Sequence, residues 1–135
     1  MTAIIKAEQL LKHPPARVWR ALTDPAVLGR WLMPNTFRAE LGHQFTLDTG
    51  AWGLTRCEVL AIEPERLLRY SWRNPPLDTT VTWRLQPEGE GTRLLLEHDG
   101  FDLDDPGQRM AYDGMSGGWS GMVAQRLVGV LAELG

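Results

Sequence analysis

The hydrophobic positions of this chain change period three times along its length, and each change marks a switch between strand and helix. Residues Ala3 to Lys12 mix apolar and polar side chains in an extended pattern that ends at His13, Pro14 and Pro15, which predicts a first strand. Beyond the proline pair, Val18, Trp19 and Leu22 fall at helical spacing, so Ala16 to Leu22 is expected to form a short helix with Pro15 in its first turn. Asp24 then offers an N-cap with Pro25 at the first helical position, and Val27, Leu28, Trp31 and Leu32 keep the helical period until Pro34.

The period then shortens. Runs bounded by Gly, Pro and Asn predict an antiparallel meander near Phe37 to Glu40, Gln44 to Asp48, Gly53 to Ile62, Leu67 to Arg73, Thr79 to Gln86 and Thr92 to His98. Alternation sorts the faces: Leu68, Tyr70 and Trp72 share one side, as do Val81, Trp83 and Leu85, and Leu94, Leu96 and His98. In the last stretch, Ser116 to Leu134, the residues Trp119, Met122, Val123, Leu127, Val130, Leu131 and Leu134 form one helical stripe. A helix of that length spans about 28 Å, enough to cross the concave face of a twisted sheet. The expected fold is α+β: a curved antiparallel sheet of six to seven strands wrapped around a long C-terminal helix, with two short helices after the first strand. Residues 1–135 are read as a single domain, since neither a repeat nor a long linker divides them.

Composition narrows the function classes. A net charge of -3 gives no footprint for nucleic acid, and no run approaches the apolar length of a membrane span. The single Cys57 cannot close an intrachain disulfide, and the N-terminal residues lack a leader pattern, so a cytoplasmic location is expected. Arginine outnumbers lysine 12 to 2, as in proteins of GC-rich bacteria. Six tryptophans and five methionines suit either the core of a small protein or the wall of an adaptable apolar cavity.

Catalytic and metal motifs do not emerge. His13, His43 and His98 are far apart with no ligand spacing around them, so neither metal nor cofactor is expected. Ser71, Ser116 and Ser120 lack a nucleophile elbow. Cys57 runs in phase with Thr55 and Val59, toward the expected cavity, and reads as a buried small hydrophobe, with a reactive thiol as the alternative. Gly114, Gly117, Gly118 and Gly121 fit no phosphate loop; close approach of another element, or mobility, is their expected use. The acidic segment Asp102 to Asp113, which carries Met110 and Tyr112, is expected to be a loop, either solvated or lid-like. The one apolar stretch expected to be exposed is Trp31, Leu32 and Met33.

Four segments carry a resemblance. PARVWRALTDPAVLGRWLMP (Pro15 to Pro34), PERLLRYSWR (Pro64 to Arg73), GTRLLLEHDGF (Gly91 to Phe101) and GGWSGMVAQRL resemble the homologues of the activator of heat-shock-protein-90 ATPase, within the START-related helix-grip superfamily. The sequence departs from that pattern at Gly42, which is followed by His43 where a glycine pair is common. The resemblance implies a cavity between sheet and C-terminal helix. Tyr70, Trp72, Trp83, Leu94 and Leu96 would face it from the sheet, and Met115, Trp119, Met122 and Val123 from the helix. Such a lining suits a flat apolar or aromatic ligand. His98 would join it near a strand end, to hydrogen-bond the ligand, to act as an acid–base beside Asp99, or to serve the structure alone.

Three functional readings follow. The first is non-catalytic binding of a small hydrophobic or aromatic molecule, favoured over an enzyme because no catalytic signature is present. The second is an aromatase/cyclase or hydrolase using His98, Tyr70 or Asp99, and the third is regulation of a chaperone ATPase through a protein partner. Monomer and dimer both stay open.

Overall fold

The computed structural model describes residues 1–50 and 53–134. Six strands form one antiparallel sheet: β1 (Thr2–Leu11), β2 (Gln44–Asp48), β3 (Leu54–Glu63), β4 (Leu67–Asn74), β5 (Leu77–Glu88) and β6 (Gly91–Asp102). Their spatial order is β1-β6-β5-β4-β3-β2, so four successive antiparallel pairs of sequence neighbours run from β2 to β6 and the first strand closes against the last. Two short helices, α1 (Pro15–Thr23) and α2 (Pro25–Trp31), fill the connection from β1 to β2. The chain ends in α3 (Pro106–Gly121), a π-helical turn (Met122–Leu127) and α4 (Val128–Leu134), which follow one another without leaving helical backbone. No described helix is long and apolar enough to cross a membrane.

The strand faces follow the sequence pattern. Leu68, Tyr70, Trp72, Val81, Trp83, Leu85, Leu94, Leu96 and His98 are all buried on the side that the helices cover. Trp31, Trp83, Trp119 and Trp72 meet edge to face in a chain, with centroids 5.8, 5.7 and 5.7 Å apart, an arrangement that suits the ring quadrupoles. Trp52 lies outside the described residues.

Four expectations are corrected. Phe37 to Glu40 is not a strand: only Asn35 bridges to Leu47, and the Asn35 side chain accepts the Phe37 amide in an Asx turn that diverts the backbone from pairing. Phe37 is still buried, against Phe45. The segment Asp102 to Asp113 is not a loop, because Asp105 caps α3 through the Gly107 and Gln108 amides and Pro106 starts the helix. The C-terminal helix thus begins ten residues before Ser116 and reaches roughly 40 Å. Trp31 and Leu32 are not exposed but buried, and the Trp31 indole donates to the Ala21 carbonyl at 2.8 Å.

The fourth correction concerns the helix glycines. A Cβ added at Gly114, Gly117, Gly118 or Gly121 would meet nothing within 4 Å, so these residues do not serve close packing. Gly107, at the start of α3, stands close to the Pro76 ring, and at Gly91 a Cβ would stand 2.4 Å from the Leu11 carbonyl oxygen, at the meeting of β6 with β1. At Gly100, with φ of +99°, β6 carries one residue more than β1 in a bulge, a conformation that suits glycine.

Candidate functional site: an apolar cleft under the C-terminal helix

Gly107, Gly114 and Gly118 open onto a cleft of about 600 Å³ between α3 and the near ends of β3, β4 and β5. On the helix side Gly107, Met110, Ala111, Gly114, Met115, Gly118, Trp119 and Met122 face it, a stripe at i, i+3, i+4, i+7, i+8 and onward that runs the length of α3. Trp119 is the one buried residue of α3; before it the helix rests on β1 and β6 by one side, with Tyr112 edge-on to Phe101, and turns its other side to the cleft. On the sheet side the lining comes from Thr55 on β3, Trp72 and Asn74 on β4, and the Pro75–Pro76 turn with Leu77. Met33 and Thr49 complete the rim.

Of the ten residues expected to face a cavity, Trp72, Met115, Trp119 and Met122 line this cleft. The other six lie in the packed core beyond its floor: Tyr70, Trp83, Leu94, Leu96, His98 and Val123 are all buried but absent from the lining. The reason is geometric. Trp119 packs on Trp83 and His98 and closes the space over β5 and β6, and from Val123 onward the buried residues Val123, Leu127, Val130 and Leu131 belong to a segment that packs on β1, α1 and α2. Only the part of the sheet opposite Gly114 and Gly118 remains uncovered.

The lining missed by sequence reasoning falls into two groups. Thr55 and Asn74 continue the inward alternation of Cys57 and Trp72 by one step, and Met110 and Ala111 continue the helical stripe toward the N-terminus, so a signal existed for both. Met33, Thr49 and the proline turn belong to connections that no periodicity predicts.

His98 sits directly behind the two cleft tryptophans. The Trp119 indole N–H donates to its Nδ1 at 3.0 Å, while its Nε2 stands 2.8 Å from the Thr79 hydroxyl, which in turn donates to the Trp72 carbonyl at 3.0 Å. An indole can only donate and a carbonyl can only accept, so the chain has one direction: Nδ1 accepts, Nε2–H donates, and the ring is neutral. Burial holds the His98 pKa down at about 3. Nearby, the Trp83 indole donates to the Tyr70 hydroxyl at 2.9 Å, and burial pushes the Tyr70 pKa well up despite that bond. Burial likewise raises the Cys57 thiol to about 12, so it is protonated at neutral pH. These groups are held in uncharged form around the cleft. Among the described residues no cluster of His, Cys, Asp and Glu could hold a metal ion.

Comparison with known proteins agrees with this architecture. The family model described as "Activator of Hsp90 ATPase homolog 1-like protein" matches residues 12–132. The chain belongs to this family. This family member is similar to the solved protein MLL2253 from Mesorhizobium loti, at 38% identity over 97% of this chain and 98% of that one, with a TM-score of 0.87. Protein BH1534 from Bacillus halodurans is 28% identical over 97% and 99% of the two chains, at a TM-score of 0.83. DynU16, a protein in the dynemicin biosynthetic locus, is 25% identical over 96% of this chain and 47% of its own, at 0.80. No curated protein matches the sequence. With these relatives, the helix-grip architecture of the Hsp90-activator-like family is shown for this chain.

Proposed function

We propose that this protein binds a small hydrophobic molecule in the cleft between sheet and C-terminal helix and does not transform it. The observation that carries the reading is the lining itself. Two tryptophans and four methionines, Met33, Met110, Met115 and Met122, supply a broad apolar surface, and no described lining residue is ionisable. A pocket of this volume fits a drug-sized molecule, and methionine walls adapt to its shape. The acid–base alternative requires His98 or Tyr70 against the ligand, yet neither lines the cleft and both ring nitrogens of His98 are engaged. The place of DynU16 in a biosynthetic locus accords with a small-molecule ligand.

The test is tryptophan fluorescence and melting temperature against a panel of fatty acids, flavonoids and polyketide-like aromatics. A saturable fluorescence change is expected, with stabilisation that grows as RT ln(1 + [L]/Kd). No response across the panel would remove the cleft as a ligand site and shift weight to a protein partner.

A further inference from the structure

We propose that the cleft selects hydrophobic molecules that carry a carbonyl or ether oxygen, held by the indole N–H of Trp72. This inference rests on the reading of the cleft as a ligand site. Of the four buried tryptophans among the described residues, three spend their indole N–H inside the protein. Trp31 donates to the Ala21 carbonyl, Trp83 to the Tyr70 hydroxyl and Trp119 to His98. No described group accepts the N–H of Trp72. The neighbouring His98, whose ring centre lies 5.3 Å away, cannot serve, because Trp119 and Thr79 engage both its nitrogens. Trp72 lines the cleft and is 3% exposed, and no fully enclosed nitrogen or oxygen of the described side chains lacks a partner. The unpaired N–H therefore belongs to the small surface that Trp72 shows to the cleft.

Selectivity follows from what happens when a ligand covers this donor. An indole nitrogen can only donate, and a donor enclosed against hydrocarbon loses water without gaining an acceptor. A ligand oxygen placed there removes the penalty and fixes the orientation of an otherwise apolar molecule. Two hydroxyls of the lining do not compete for that oxygen. The Thr49 hydroxyl is spent on the Gly53 carbonyl, and the Thr55 hydroxyl is fully enclosed, with the Asn74 amide 3.2 Å from it. Met33, Met110, Met115 and Met122 supply thioethers that favour contact with aromatic rings, so an aromatic ketone suits the cleft as a whole.

The test titrates 2-acetylfluorene and 2-isopropenylfluorene by calorimetry; the second replaces the ketone oxygen by a methylene and keeps the shape. Wild type is expected to bind the ketone about tenfold more tightly, the size of one hydrogen bond in place of an unpaired donor. Trp72→Phe keeps an aromatic ring but has no donor, and should make the two affinities equal, whatever the smaller ring does to both. The indole N–H resonance of Trp72 in the wild-type protein gives a second reading that needs no variant to fold. It should move downfield with the ketone and much less with the alkene. Equal binding of the two compounds, a preference that survives Trp72→Phe, or a Trp72 resonance unmoved by bound ketone would overturn the inference. Gly118→Leu, which fills the cleft from the helix side, separates the two levels. If it abolishes binding of both compounds but wild type does not prefer the ketone, only the selectivity falls. If neither compound binds, or binding ignores Gly118→Leu, the ligand reading of the cleft falls with it.

Discussion

His98 shows how far a single residue is determined by its surroundings. Strand alternation with Leu94 and Leu96 places it inward, but its protonation state is set by Trp119 and Thr79, which lie 21 and 19 residues away in sequence. With a folded pKa of about 3 against 6.5 when free, it refuses a proton that the unfolded chain accepts. The resulting stability is complete above pH 6.5 and is lost as pH falls from 6.5 toward 3, at up to about 1.4 kcal/mol per pH unit. Urea unfolding of wild type and His98→Gln at pH 7.5, 6 and 4.5 should show the steeper decline in wild type; parallel declines would refute the neutral buried ring. At pH 7.5 the variant should be less stable by roughly 1–3 kcal/mol, because the Trp119 indole loses a well-placed acceptor. Gly91 is a second residue-scale constraint. Gly91→Ala should lower the melting temperature, with a cost of about 1–3 kcal/mol, since the Leu11 backbone has to yield.

At the scale of elements, the two Asp–Pro pairs are instructive. Asp24 and Asp105 each accept two amides of the following turn, and each is followed by proline at the first helical position. The first pair is read readily because Val27, Leu28 and Trp31 follow at helical period. The second is followed by Gly, Gln and Arg, and the apolar stripe of α3 is thinned by glycines, so an uncovered helix looks like a loop in sequence. That thinning has a thermodynamic signature. Gly117 and Gly121 lie in helical backbone with open space where a Cβ would go, and neither lines the cleft. Gly117→Ala and Gly121→Ala should each stabilise by up to about 1 kcal/mol, raising the melting temperature by a few degrees without changing ligand affinity. A fall in stability would mean that the helix bends there in solution.

For the molecule as a whole, the cleft is the space left where a long helix and a curved sheet diverge. Trp119 is the pivot: it packs on Trp83 and His98, past it the helix rests on β1, α1 and α2, and before it Gly114 and Gly118 face open volume. An ion pair between Arg30 and Glu133 ties α2 to α4 at the closed end. Gly118→Leu should therefore remove the fluorescence response to hydrophobic ligands while leaving the melting temperature unchanged or higher, because the added side chain enters empty space on a helix. Loss of fold instead would show that the cleft is closed in solution.

Local and periodic features were legible in the order of residues alone. Alternation along β4, β5 and β6 named the buried face residue by residue, the Asp24–Pro25 cap and the terminal stripe marked helices, and four segments pointed to the family. Which of those inward residues touch a cavity and which touch one another emerged with the packing of the elements. Tyr70, Trp83, Leu94, Leu96, His98 and Val123 carry the same inward phase as Trp72, Trp119 and Met122, yet the first group is enclosed in the core and only the second borders the cleft. Periodicity reports which side of an element a residue occupies; the distance between two elements depends on how their whole faces pack, and no single stretch of chain contains it.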